Sequence, residues 1–399
     1  MKTICIAGKN EIAVNALKYL KDNYPNFNYS VILNKTEDGI TGWQPSLSFT
    51  AKKLKVKEVS LAEVYDIEDL IFLSLEFDLL IKPSLFKSKS LFNIHFSALP
   101  KFKGMYTSVL PILYAETSSG VTLHKIDIGI DTGDIIDQII FPINDNTTCK
   151  DLYQHYLDNS LVLLKKNVKS LIENNYSSSK QNSQQSSYFS KKSIDFSDIK
   201  IDLNKTAFEI HNQFRAFTFR EYQLPKYNDW NIFKTKITQT KNEFKPGNLL
   251  HEDDSHFLLS TIDYNIILFK DYYDILWESC RDGSYETVAS VIKHIPDINL
   301  RNKKGWNALI LSVYNNHPKI SELLINYSPN NSGDIDSSNY KGTTVIMYAL
   351  SCYKNTGDDT TLKLILSNSP DLHRKDETGR NIFDYAENDD NILNLLNME

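Results

Sequence analysis

The 399-residue chain is short of cysteine, basic charge and long apolar runs, and each shortage excludes a class of protein. Its four cysteines, Cys5, Cys149, Cys280 and Cys352, lie far apart with no CxxC pair. They read as buried thiols of a reducing compartment, not as a disulfide frame or zinc site. No cluster of metal-ligand type stands out, and no metal is expected. The net charge of −6 and pI near 5.9 argue against a nucleic-acid partner, leaving open only a local basic patch. No apolar run reaches membrane-spanning length and no signal peptide precedes the first strand, so a cytoplasmic protein without membrane insertion is expected. A GxGxxG loop is also missing. Gly8 after the first strand reads as a tight βα turn.

What is present is a 41% hydrophobic chain, long enough for two or three domains. Short apolar runs at 3–7, 29–33, 72–81, 92–97, 121–126 and 134–143 read as strands. Helical spacing is expected over 11–21, 47–54, 106–114 and 148–172, the last with Leu152, Leu161, Leu164, Val168 and Leu171 inward. Strands alternating with helices predict an α/β domain with a Rossmann-like, mostly parallel sheet over 1–187. Lys9 and Asn10 fall on a loop at the carboxyl end of a strand, where open α/β sheets bind ligands. The polar stretch 174–187 reads as a linker or exposed loop. Strand-like runs at 230–236, 248–251 and 256–269 predict a small β-rich domain over 188–268.

From residue 269 the pattern changes. Gly305, Gly342 and Gly379 recur with a spacing of 37 residues, in KGWNAL, KGTTVI and TGRNIF. The segment KGWNALILSVYNNHPKISELLIN resembles an ankyrin helix pair, so 269–399 is expected to be α-helical ankyrin repeats, with an irregular first repeat over 274–296. Such repeats must stack to bury their faces. They are either a stabilising appendage or dimer contact, or a surface for a protein or second ligand.

The chemistry is concentrated in FNIHFSALPKFKG, 92–104. Asn93 and His95 are two apart on a strand and so share a face. Downstream, VTLHKIDIGIDTGDII, 121–136, carries Asp131 in a tight acidic loop. Asn, His and Asp together suit acyl transfer: His takes a proton, Asp fixes the His, and Asn stabilises an oxyanion. The two segments closely resemble the N10-formyltetrahydrofolate-dependent formyltransferase family, whose signature is NIHxSxLPxxxG followed by GVTxHxxxxxxDxGxI.

That resemblance implies a catalytic set of Asn93, His95 and Asp131, with N10-formyltetrahydrofolate as co-substrate. It implies a pterin slot with Phe77 and Leu80 on its wall and Lys82 near an anionic group, and contacts from Asp127, Gly129 and Ile130. The acceptor would meet Lys9, Asn10, Met105, Tyr106 and Thr107. Arg215 and Arg220, interleaved with Phe219 and Tyr222, suit a nucleotide diphosphate, because arginines clamp phosphates and an aromatic face stacks a base. The family often has Arg where this chain has Lys103, which keeps the charge but loses the fork.

Three branches of the family differ in acceptor. Glycinamide ribonucleotide transformylases are much shorter, and methionyl-tRNA formyltransferases usually carry a basic tail. The nucleotide-sugar N-formyltransferases share NIHFSxLPxxKGMYTS and GIDTGDII, and some carry ankyrin repeats. The resemblance is strongest to these. It implies a dTDP-amino-dideoxyhexose acceptor, best dTDP-3-amino-3,6-dideoxy-D-glucose, for O-antigen synthesis, and a homodimer. A 4-amino sugar, methionyl-tRNA, or an ankyrin scaffold with an inactive catalytic domain are the alternatives.

Overall fold

A computed structural model describes residues 2–328, 330–387 and 389–396. The chain divides into two compact units, residues 1–40 with 44–270, and 41–43 with 271–399.

The first unit opens with β1 (Thr3–Gly8), α1 (Asn10–Asn23), β2 (Asn28–Leu33), α2 (Leu47–Lys53), β3 (Lys57–Glu58), α3 (Leu61–Val64), β4 (Leu70–Leu75) and β5 (Ser90–His95). After β5 come β6 (Lys103–Gly104), α4 (Leu110–Leu113), β7 (Ser118–Lys125), β8 (Ile135–Pro142) and α5 (Cys149–Glu173). Seven of these strands form one sheet in the order β3-β2-β1-β4-β5-β7-β8. The first five run parallel, while β7 and β8 are antiparallel to their neighbours. β4 is buried along its whole length, as a strand covered on both faces must be, which is why it reads as an unbroken apolar run. The order reverses between β1 and β4, so their carboxyl ends form the crevice where ligands of such sheets sit.

α5 starts on a capping box in which Thr148 and Asp151 satisfy each other's backbone N–H groups. Its buried stripe is Leu152, Tyr156, Leu163, Leu164, Val168 and Leu171, so Leu163 takes the inward place expected for Leu161, which is only half-buried. The helix expected over 106–114 shrinks to Leu110–Leu113, because Tyr106 has φ +62°, a left-handed conformation that cannot start a right-handed helix. The stretch 174–187 is an exposed loop, but one tied to the sheet and not a free linker. Ser179 bridges to Ile135 in both directions at 2.8 Å, and β9 (Tyr188–Phe189) pairs with β6. Its low apolar content hid this, because the attachment is made by backbone and amide groups.

The unit ends in α6 (Ala207–Ala216) and an antiparallel sheet of β10 (Lys226–Tyr227), β11 (Trp230–Lys241), β12 (Leu249–Glu252), β13 (His256–Leu259) and β14 (Tyr264–Lys270). Ile210 and Phe214 of α6 pack on Ile232, Phe257, Leu259, Ile266 and Leu268.

The second unit contains α7 (Tyr273–Asp282), α8 (Tyr285–Val291), α9 (Ala308–Tyr314), α10 (Pro318–Ile325), α11 (Val345–Thr356), α12 (Thr360–Leu366), α13 (Ile382–Ala386) and α14 (Asp390–Leu396). One shared core runs from Leu276 through Leu309, Ile346 and Leu362 to Ile392. Gly305, Gly342 and Gly379 sit at φ +83°, +79° and +84°, which is why glycine recurs there. Three residues before each glycine, Asn302, Asn339 and Asp376 accept from the backbone of the same turn.

All four cysteines are buried and unpaired, and burial pushes the Cys5 and Cys149 thiols up to about 12. Among the described residues no helix is long and apolar enough to cross a membrane.

Candidate active site

β5 ends in Asn93-Ile94-His95, and the register with β7 sets His124 opposite Asn93. Asp131 comes from the loop joining β7 to β8. That loop folds around Asp127, whose Oδ1 accepts from the Gly129 N–H (3.0 Å) and the Thr132 hydroxyl (2.6 Å). A Cβ on Gly133 would lie 1.7 Å from the Lys125 carbonyl oxygen, so the glycine of DTGD is required by the loop's return to β7.

These elements bring the three expected residues together. Asp131 Oδ2 accepts from the Gly104 N–H at 2.9 Å and lies 3.5 Å from His95 Nδ1. Its Oδ1 accepts from Asn93 Nδ2 at 3.3 Å and lies 3.6 Å from His124 Nε2. His95 Nε2 donates to the Phe102 carbonyl at 2.9 Å, which sets the tautomer. The basic nitrogen of neutral His95 is therefore Nδ1, on the Asp131 side. Burial opposes the charge on Asp131, but His95 and His124 in their protonated forms, with the Gly104 N–H, outweigh it and hold the carboxyl well below the usual range.

His124 was quoted in the motif but not expected in the site. Its Nδ1 donates to the Lys125 carbonyl at 2.7 Å, leaving Nε2 to accept from Asn93 Nδ2 at 3.0 Å. Both amide hydrogens of Asn93 are thus engaged within the site.

The loop that carries the Phe102 carbonyl is held by residues the sequence did not point out. The Thr122 hydroxyl donates to Ser97 O at 2.7 Å and accepts from the Leu99 N–H at 3.2 Å. The Gln138 amide donates to Leu99 O and to Thr122 Oγ1, both at 2.8 Å. Ser187 Oγ accepts from the Phe102 N–H at 2.8 Å, and Gln181 Nε2 donates to the carbonyls of Asp131 and Gly133, each at 2.8 Å. The last two come from the stretch expected to be a linker.

The other expected residues are placed unevenly. Phe77 packs partly buried on the core around Phe72 and Phe86, whereas Leu80 is 70% exposed and Lys82 is exposed. Gly129 is exposed and Ile130 half-buried, beside an almost fully exposed Ile128. Asp127's carboxylate is engaged by its own loop. Met105 is exposed, the Tyr106 hydroxyl donates to Lys191 O at 2.9 Å, and the Thr107 carbonyl accepts from Tyr156 at 2.8 Å. Lys103 is buried. Phe219 is buried with Tyr222 edge-on at 4.7 Å, Tyr222 is largely exposed, and Arg220 is half-buried.

Arg215 is corrected. It is buried, its Nε donates to Asn212 Oδ1 (2.9 Å), and its Nη1 donates to the carbonyls of Asn144 (3.2 Å) and Thr147 (2.9 Å). The aromatic interleaving suggested a phosphate clamp, but the helical period turns this arginine inward to tie α6 to the segment before α5. Arg215→Ala is therefore expected to cost about 2–4 kcal/mol of stability, because it strands the buried Thr147 carbonyl and removes a buried side chain. Urea unfolding checks this; an unchanged midpoint with a raised KM for the acceptor would restore the clamp.

Glu76 and Tyr153 were not anticipated. Glu76, a charged residue inside the apolar run 72–81, directly follows β4 at φ +57°. Its carboxylate accepts from the Tyr153 hydroxyl (2.9 and 3.1 Å) and from Asn10 Nδ2 (3.3 Å). Burial pushes it up to about 7, against the Tyr153 hydroxyl, the charge of Lys9 and the Asn10 amide. Among the described residues one trio, His251, Asp253 and His256, brings ligand-type atoms within 4.8 Å of one another. It lies on the β12–β13 turn, where Asp253 Oδ1 accepts from the backbone of Ser255 and His256, and it reads as a turn cap.

The sequence matches the Formyl transferase family over residues 48–168, the Formyl transferase C-terminal domain over 193–271, and Ankyrin repeats (3 copies) over 276–376. The crystal structure of WlaRD, a sugar 3N-formyl transferase in the presence of dTDP and 5-N-formyl-THF, is 51% identical with a TM-score of 0.63, covering 68% of this chain and 98% of that one. The N-formyltransferase from Helicobacter canadensis, in complex with folinic acid and dTDP-3-aminofucose, is 50% identical with a TM-score of 0.63, covering 68% of this chain and 100% of that one. Among curated proteins, the methionyl-tRNA formyltransferase of Clostridium tetani is 29% identical over 185 residues, 45% of this chain and 57% of the relative. That of Clostridioides difficile is 30% identical over 183 residues. The chain spans little more than half the length of these curated relatives.

Proposed function

We propose that this chain, which belongs to the formyl transferase family, moves a formyl group from N10-formyltetrahydrofolate to the 3-amine of a dTDP-linked 3-amino-3,6-dideoxyhexose. The observation that carries the reading is the convergence of Asn93, His95 and Asp131 in a chain half identical to a sugar 3N-formyl transferase along nearly all of that enzyme's length. Methionyl-tRNA is disfavoured by lower identity over a shorter stretch and by the acidic charge of this chain.

The acceptor amine attacks the formyl carbon and creates an oxyanion. His95 Nδ1 takes the amine's proton, and the Asp131 carboxylate stabilises the imidazolium that results. Asn93 serves as oxyanion donor by redirecting the hydrogen that points at Asp131, the longer of its two bonds at 3.3 Å. As His95 becomes charged, Asp131 gains a stronger partner and can release that hydrogen. The donor thus becomes available as negative charge develops. The slot wall of Phe77, Leu80 and Ile130 would take the pterin, with Lys82, Asp127 and Gly129 at its polar edge. Lys9, Asn10, Met105, Tyr106, Thr107, Phe219, Arg220 and Tyr222 would line the acceptor side. The D-gluco sugar is the preferred acceptor and the D-galacto epimer its nearest rival, with the product used in O-antigen synthesis. A cytoplasmic homodimer, and a protein or second ligand on the ankyrin repeats, complete the reading.

The test is turnover with N10-formyltetrahydrofolate and dTDP-3-amino- or dTDP-4-amino-dideoxyhexoses, followed by product mass. Formylation of 3-amino sugars alone is expected. Formylation of the 4-amino sugar, or of methionyl-tRNA instead, overturns the assignment.

A further inference from the structure

Glu76 follows β4, the strand paired with the one that carries Asn93 and His95. The β4–β5 register ends at Leu75 against Ile94, so Glu76 leaves the sheet at the edge where His95 completes β5. Its carbonyl accepts from Asn34 Nδ2 at 2.9 Å, and Asn34 is itself buried, which fixes the turn. Asn10, the first residue of α1 and two past the end of the neighbouring β1, is likewise left-handed at φ +62°, and its amide donates to Glu76 and to Tyr153 Oη (3.1 Å). Two non-glycine residues in this region at one sheet edge are costly, and such strain clusters at ligand sites. Rings continue the contact. Tyr153 meets Phe96, the residue after His95, at 6.0 Å and Phe219 at 5.7 Å, and Phe219 meets the exposed Tyr222.

An acceptor amine arrives as an ammonium ion and must lose one proton before it can attack and a second as the amide forms. His95 has one basic nitrogen and can take one. We propose that Glu76, held by Tyr153 and Asn10, receives the acceptor's ammonium group and takes its first proton. The inference rests on the amino-sugar reading above. In the balance, R–NH3+ and the Glu76 carboxylate give R–NH2 and the carboxylic acid. The amine then forms the C–N bond to the formyl carbon. His95 takes the second proton and returns it to N10 as the C–N10 bond breaks, and Glu76 releases its proton to water. A carboxyl raised to about 7 suits this exchange near neutral pH. The groups facing it are Lys9 and Asn10 at the start of α1, Tyr153 on α5, and Tyr222.

The test is the pH profile of kcat/KM for the dTDP-3-amino sugar in wild type, Glu76→Gln and Tyr153→Phe. Glu76→Gln is expected to lose about 10²-fold at pH 7 and to recover towards wild type by about pH 9, where the free amine is supplied by solution. Tyr153→Phe removes a donor that favours the carboxylate, so its acid limb moves to higher pH; it keeps the idea testable if Glu76→Gln does not fold. A loss of equal size at every pH, or profiles that coincide with wild type, overturns the role of Glu76 alone. Absence of product from the wild-type enzyme overturns the acceptor reading as well.

Discussion

His95→Asn is expected to fold normally and to lose about 10²–10⁴-fold in kcat, the size of a general-base contribution. The variant is demanding because the site uses the two imidazole nitrogens differently. Nε2 holds the Phe102 carbonyl and Nδ1 faces Asp131. An asparagine amide falls at the Nδ1 position without a basic nitrogen, and the loop stays held by Ser187 and Gln138. Structure is therefore kept while basicity is removed. Single-turnover formylation, with folate binding and thermal melting measured in parallel, reads the two apart. A melting point and folate affinity near wild type with kcat reduced by less than tenfold would place the base elsewhere.

The parts of this site legible in the sequence are those fixed by local geometry. Asn93 and His95 could be paired from strand alternation alone, and the glycine of DTGD announced a turn. The residues that make the triad work were not legible, because each acts across a long stretch of chain. Gln181 reaches Asp131 from a segment whose composition says linker, and Ser187 pins the loop that holds His95. Glu76 and Asn10 are far apart in sequence and meet only because β1 and β4 are neighbours in the sheet. Arg215 misled for a related reason: its neighbours alternate aromatic and basic, but a helix period, not a strand period, decides where its guanidinium points.

The ankyrin unit was legible through its glycines, since left-handed turns admit few other residues. The Asn or Asp three positions earlier carries the same period and was overlooked. Its carboxamide or carboxylate accepts from the backbone of the turn, so the period is a hydrogen-bond requirement as well as a conformational one.

Asp131→Asn is expected to reduce kcat by on the order of 10³–10⁴-fold, as when the acid that orients a catalytic histidine becomes an amide. Two contacts are damaged at once. The imidazolium loses its counter-charge, and an amide NH2 turned towards the Gly104 N–H sets donor against donor. The same substitution has a second readout, independent of turnover. Asp131 titrates well below its ordinary value in the folded protein, so it binds protons more readily unfolded than folded. Its stabilising contribution is then present in full above about pH 4, the ordinary carboxyl value, and is lost as pH falls below it. Asparagine does not titrate. Between pH 7 and pH 3 the urea midpoint of wild type should therefore fall further than that of Asp131→Asn, with every other carboxylate common to both. Equal falls would mean that Asp131 is not held as a carboxylate by His95, His124 and Gly104, and the imidazolium would then have lost the partner on which release of the Asn93 hydrogen depends.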